Sequence, residues 1–212
     1  MPDWDADSGR LRDNLRAIAA DIQATAVRRK PISREMARSW HRRIMDGLDV
    51  PDPAYIGRYR GEQGLKTCQV RVGPHAGTPV AGVADAQSQF ERVLNEVMAE
   101  LDTVIPAEGA SSEDQVNAVL DLCGWVHAEW VRIHPFANGN GRTARLWANF
   151  VAVRYGLPPF VRLRPRPAER LYAEASAAAM QGDWTPSAQM MRALLKTYGS
   201  DLAAWRRGRG QS

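Results

Sequence analysis

The chain has 212 residues, 44% of them hydrophobic and 25% charged, which suits one well-buried core and is short for two. No apolar run approaches the roughly 20 residues of a bilayer-spanning helix, and Met1-Pro2-Asp3-Trp4 lacks a leader pattern, so one cytoplasmic domain over 1–212, without membrane association, is expected. The net charge of +4 is arginine-dominated, but the arginines are scattered along helical patterns, opposed by acids and not interleaved with aromatic residues, which argues against a nucleic-acid partner.

Taken in chain order, apolar residues at Leu11, Leu15, Ile18, Ala19, Ile22 and Ala26 predict a helix over 11–27, closed by Arg28-Arg29-Lys30 and Pro31. Ser33, Glu35 and Met36 open a second helix through Trp40 and Ile44 to Gly47, on which His41 is read as a structural histidine, exposed or hydrogen-bonded. Turn formers over 51–64 make a connection. The alternation Lys66-Thr67-Cys68-Gln69-Val70-Arg71-Val72, followed by Gly73-Pro74 and Gly77-Thr78-Pro79-Val80, predicts a short β-hairpin within 65–82 with His75 at its tip. Helices are then expected over 84–104, with Phe90, Leu94 and Met98 inward, and over 112–133, with Ser112 as the cap. A third runs from Arg142 to Tyr155-Gly156, and two more cover 168–181 and 186–205 after a proline-rich surface link at 162–167, with 206–212 frayed. Cys68 and Cys123 lie too far apart for metal or redox spacing and are read as small core residues. Trp125, Trp130 and Trp147 are assigned to core packing.

The chemistry concentrates in His134–Arg145, H-P-F-A-N-G-N-G-R-T-A-R. Pro135 stops the preceding helix and puts His134 at its end. Gly139 and Gly141 allow positive φ and close backbone approach just where the next helix begins, and unpaired N–H groups at a helix N-terminus suit phosphate. Arg142 and Arg145, three apart, share a face and suit bidentate contacts to phosphate oxygens. A neutral imidazole beside such a cradle is a natural general base. Asn138 and Asn140 are candidate side-chain caps for the second helix, and Phe136 an anchor for the loop.

This run resembles the signature of the Fic proteins, His-x-Phe-x-(Asp/Glu)-Gly-Asn-Gly-Arg-x-x-Arg, and matches it at every defined position but one. The resemblance implies an all-α helical bundle with a β-hairpin flap, divided into N-terminal helices and linker (1–64), flap (65–82), core with the motif helices (84–158) and C-terminal helices (159–212). It further implies transfer of AMP from ATP to a Ser, Thr or Tyr hydroxyl of a target protein. His134 would be the base, Gly139, Asn140 and Gly141 the phosphate turn, and Arg142 and Arg145 the ligands of the outer phosphates. The flap residues Gln69, Val70, Arg71 and Val72 would dock an extended target segment by strand addition.

The departure is Asn138, which stands where the family has its acidic Mg²⁺ ligand; a neutral amide oxygen brings no charge, so Mg²⁺ or Mn²⁺ would lean more on the substrate phosphates. Two alternatives stay open on that account, a nucleotide-binding or interaction module with little transferase activity and transfer of UMP or a phosphoryl group. A zinc hydrolase built on His127-Ala128-Glu129 lacks any P-C-x-x-C partner sequence, so His127 is read as a buried, hydrogen-bonded residue. The family's inhibitory pattern, (Ser/Thr)-x-x-x-Glu-(Gly/Asn), is absent, since Glu108-Gly109 follows Val104; restraint of Arg145 would need a separate small inhibitory protein.

Overall fold

The computed structural model describes residues 8–167 and 169–209. Among them lie seven helices, α1 (Gly9–Thr25), α2 (Arg34–Met45), α3 (Val83–Val104), α4 (Glu113–Ile133), α5 (Asn140–Arg154), α6 (Glu169–Ala179) and α7 (Thr185–Arg209), and one antiparallel hairpin, β1 (Arg71–Val72) with β2 (His75–Ala76). The all-α bundle with a hairpin is therefore observed. None of the helices is long and apolar enough to cross a membrane, among the described residues.

The bundle is organised around α4 and α5. α4 packs against α5 on one side and α7 on another. Every residue of α5 except Gly141 is buried, polar ones included, as expected for a helix enclosed on all sides rather than one with a single apolar stripe. α1 does show the single stripe: Leu11, Leu15, Ile18 and Ile22 are buried and the turns between them face water. Ser112 caps α4 through a reciprocal box, its hydroxyl accepting from the Gln115 N–H while the Gln115 side chain reaches back to the Ser112 N–H, so two of the orphan donors at that end are satisfied. At the other end α7 continues past the expected stop at 205 to Arg209; Ala168 and 210–212 lie outside the described residues.

The hairpin is shorter than the alternation suggested. Side chains from Cys68 to Val72 do alternate between half-buried and exposed, but only Arg71 and Val72 pair, with Ala76 and His75. Lys66 and Thr67 form a turn closed by the Cys68 N–H on the Leu65 carbonyl, and His75 lies in β2 rather than at the tip. The return chain leaves the ladder because its donors go elsewhere. Gly77 N–H still reaches the Val70 carbonyl, but Thr78 N–H donates to the Arg132 carbonyl at the end of α4 and Pro79 has no N–H.

One side chain ties these parts together. Arg60, 2% exposed, donates from Nε to the His134 carbonyl (2.7 Å) and from Nη2 to those of Ile133 (2.9 Å) and Thr78 (2.8 Å), with Nη1 to Cys68 (3.3 Å). Its backbone N–H donates to the Pro135 carbonyl (2.8 Å). The carbonyls at the end of α4 thus find the donors that a helix C-terminus lacks, and both roots of the hairpin are held to the same point. Arg60→Met keeps the aliphatic bulk and removes the donors. It is expected to lower the unfolding free energy by about 2–4 kcal/mol and to speed amide exchange at Gly77 and Thr78, read by urea denaturation and hydrogen exchange. Unchanged exchange there would show that the hairpin is held by other contacts.

Candidate functional site

A cleft of about 820 Å³ opens at the α4–α5 junction. Its lining brings together every sequence-predicted residue of the motif, His134, Asn138, Gly139, Asn140, Gly141, Arg142 and Arg145. Arg12 and Leu15 of α1, the segment Leu163–Arg166, and Tyr172 of α6 complete it.

His134 is the C-cap of α4 and sits in the left-handed region at φ 51°. Its Nδ1 lies 2.9 Å from the Val131 carbonyl, which only accepts, so the proton resides on Nδ1 and the lone pair is left on Nε2. Burial, seconded by the Arg60 charge, holds the ring's pKa below its ordinary value against the opposing Val131 bond. The ring is thus neutral near pH 7 and able to take up a proton.

The turn from Pro135 to Gly139 is held by polar groups that leave it little freedom. The Asn140 side chain accepts from the Phe136 N–H (2.8 Å) and donates to the Phe136 carbonyl (2.9 Å). Phe136 itself is fully buried, stacked on His41 at 3.9 Å and flanked by Tyr59. His41 accepts the Gly57 N–H at Nδ1 (3.0 Å), which leaves Nε2–H to donate to the Asn138 carbonyl (3.0 Å). The helix-borne histidine read as structural is therefore the prop of the motif turn, and its burial lowers its pKa to about 4. Gly139 has φ +77°, and a Cβ there would stand 3.1 Å from His41 Nε2, so the turn and its prop meet where only glycine fits. Thr143 Oγ1 lies within 3.2 Å of the Gly139 carbonyl and accepts the Trp130 indole N–H (2.8 Å), which places Trp130 in the core as expected.

The expected side-chain capping by Asn138 and Asn140 is not observed. The N-cap of α5 is Gly139, with no side-chain hydrogen bond; Asn140 spends its amide on Phe136, and Asn138 Oδ1 accepts the adjacent Gly139 N–H (2.5 Å). The first N–H groups of α5 consequently have no capping side chain over them, and Asn140, Gly141 and Arg142 line the cleft at that end. Arg145 Nη1 donates to the Tyr172 hydroxyl (3.0 Å) and Nη2 to the Leu163 carbonyl (3.0 Å). The same hydroxyl lies 3.2 Å from Nε2 of His127, fully buried and with its pKa lowered to about 3 chiefly by burial, so the neutral ring accepts and Tyr172 donates.

Sequence reading missed three contributors. The 162–167 segment, expected as a surface link, supplies Leu163 to Arg166 to the cleft wall; its alternation of arginine with proline was the available signal. Arg12 and Tyr172 carried no local pattern, since they reach the cleft only when α1 and α6 pack. The residue after β2 lies against His134: a Cβ on Gly77 would come 3.1 Å from His134 Cβ. For Mg²⁺ the fit is poor. Among the described residues the cleft lining holds no carboxylate and no cluster of metal-ligating side chains occurs, and the candidate oxygen on Asn138 already accepts Gly139 N–H.

A helical bundle that joins a histidine-ended helix to a glycine turn and an arginine-bearing helix defines the class, and comparison with known proteins gives the family. Residues 31–152 match the profile described as "Fic/DOC family", and the chain belongs to that family. Proteins named "Protein adenylyltransferase Fic" from Drosophila persimilis and Drosophila melanogaster are 31% and 30% identical over 165 residues, 78% of this chain. The chain spans only 27% and 28% of the length of these curated relatives. Among solved structures, Fic-1 of C. elegans (TM-score 0.62, 23% identity) is covered over 55% of its length and 96% of this chain. A Fic-domain signaling protein from Bacteroides thetaiotaomicron (TM-score 0.61, 22% identity) is covered over 70% of its length and 90% of this chain. Both share the fold.

The buried neutral histidines make stability depend on pH with a definite sign. His41 and His127 titrate near 4 and 3 when folded and near 6.5 when unfolded, so between those values the unfolded chain binds more protons and stability falls as pH falls. Their joint contribution to the loss between pH 7 and pH 5 is expected on the order of 2–4 kcal/mol, read from urea midpoints. A pH-independent midpoint over that range would mean that both rings take up protons in the fold as readily as in the unfolded chain.

Proposed function

We propose that the chain transfers AMP from ATP to a Ser, Thr or Tyr hydroxyl of another protein, acting in the cytoplasm as one domain over 1–212. The observation that carries this reading is the state of His134. With Nδ1–H committed to the Val131 carbonyl, Nε2 is the basic atom, on a residue that shares one cleft with the glycine turn and both motif arginines. The names of the curated relatives support the choice of AMP and ATP.

In this reading the incoming hydroxyl gives its proton to His134 Nε2 as its oxygen bonds to the α-phosphorus. The bond from that phosphorus to the bridging oxygen breaks, and pyrophosphate leaves with the electron pair. The N–H groups at Asn140 and Gly141, in the turn that Gly139 shapes, and the guanidinium groups of Arg142 and Arg145 hold the phosphates and offset the charge that develops on them. The Val131 carbonyl keeps the imidazolium oriented once formed. The hairpin at Gln69 to Val72 aligns the target main chain: β1 pairs with β2 alone among the described residues, which leaves its other edge open for an added strand. A separate small inhibitory protein would act by occupying Arg145, whose present partners, the Tyr172 hydroxyl and the Leu163 carbonyl, are both neutral.

His134→Ala is expected to lower the transfer rate by about 10² to 10⁴ while ATP still binds, measured with α-³²P-labelled ATP and a lysate in parallel with calorimetry. Equal labelling by the variant would remove the histidine from the chemistry. A second reading, a nucleotide-binding module with little transfer, is favoured by the carboxylate-free lining and the engaged amide of Asn138. It predicts ATP binding without any labelled band from α- or γ-labelled ATP or from labelled UTP. Asn138→Asp discriminates further: an added carboxylate at the cleft should lower the Mg²⁺ concentration that half-saturates ATP binding. A concentration unchanged from the parent would mean that position 138 does not face the cation.

A further inference from the structure

A second cavity, of about 360 Å³, is lined by the start of α2, the 59–62 segment with Arg60, Lys66, the 80–81 turn and the first turns of α3. Its volume falls within the range of ligand sites, about 300–1,000 Å³. Two independent features of its lining ask for an acceptor that the described residues do not supply.

The first is Gln87 on α3. It is 2% exposed, lines the cavity, and its Nε2 has no hydrogen-bond partner among the described residues. Buried amide donors are seldom left in that state, because the group has lost water and gained nothing in exchange.

The second is charge. Arg34, Arg38, Arg60, Lys66 and Glu62 all line the cavity. Arg38 is matched: both of its terminal nitrogens donate to Glu62 and its Nε pairs with Glu35. Arg34, Arg60 and Lys66 have no carboxylate within ion-pair distance among the described residues. Arg60 is the telling one. Its guanidinium is met by carbonyl oxygens alone, and burial lowers its pKa, the mark of a cation taken out of water without a counter-ion.

We propose that this cavity binds a small anion bearing a carboxylate or phosphate group, which accepts from Gln87 Nε2 and serves as the counter-ion of Arg60, with Arg34 and Lys66 at its mouth. Arg60 also holds the His134 carbonyl and the hairpin roots, so an anion here would stiffen the element that carries the base and the one beside it. The site stands whether or not the chain is a transferase.

The test uses the full ¹⁵N-labelled chain, titrated separately with inorganic phosphate and with succinate against chloride at constant ionic strength. The readout is the Gln87 side-chain amide resonance, identified by its loss in Gln87→Leu. A saturable shift is expected with at least one anion, and which one responds assigns the chemistry as phosphate or carboxylate. The shift should persist in Arg145→Ala, which weakens anion binding in the larger cleft. Lys66→Glu, an exposed substitution that leaves the fold alone, should raise the half-saturating concentration about tenfold. No shift with either anion, a shift lost in Arg145→Ala, or one unmoved by Lys66→Glu would each overturn the assignment.

Discussion

A buried guanidinium bonded to four main-chain carbonyls is the constraint on which the rest of this structure depends. Arg60 fastens the carbonyls of Ile133 and His134, at the end of the central helix, to those of Cys68 and Thr78, at the two roots of the hairpin. A helix C-terminus otherwise presents carbonyls that need water or a cap, and His134 occupies the left-handed cap position where glycine is usual. A β-carbon in that conformation is strained, and it persists because the surroundings overdetermine it. The Val131 carbonyl holds the ring, Arg60 holds the carbonyl, and Gly77 leaves room for the Cβ. The imidazole is thereby anchored to main chain at Nδ1, with Nε2 left as its basic atom.

The turn that follows obeys the same economy of neutral groups. Phe136 is pinned by the Asn140 amide at its backbone and by the His41 ring at its face, while His41 also donates to the Asn138 carbonyl. The side chains named here that hold this loop are neutral. That matters electrostatically, because a carboxylate placed here would cancel the field of the α5 N-terminus and the arginines beyond it. Burial keeps His41 and His127 neutral, so they fix geometry without adding charge of their own.

Much of this was legible from the sequence, for a physical reason. The helices announce themselves because each of α1, α2 and α3 buries one face, which writes a period of three to four into the chain. The motif is legible because glycine, histidine and arginine at close spacing constrain one another locally. What was not legible depends on partners distant in the chain. Arg60 lies 74 residues before His134, and Tyr172 lies 27 after Arg145; neither carries any local sign of its partner. The hairpin was overextended for a related reason: the alternation from Cys68 to Val72 is real, but strand length is set by whether the return chain's donors stay in the ladder, and Thr78 gives its N–H to α4. The capping expectation failed by competition, since Asn140 has one amide and the Phe136 backbone claims both of its ends.

The distribution of acids across the molecule completes the argument about the cleft. Several arginines that join elements are met by carboxylates: Arg154 meets Asp102 between α5 and α3, Arg38 meets Glu62 and Glu35, Arg192 of α7 meets Asp121 of α4. Arg145 is as deeply buried as most of these, yet its bonds go to a hydroxyl and a carbonyl. Those neutral acceptors fix the direction of the guanidinium without spending its charge. A cation held in place without a carboxylate partner among the described residues, at the mouth of a helix N-terminus, favours an anionic ligand over water by both its orientation and its field. Any acidic side chain that reached it would compete with that ligand directly.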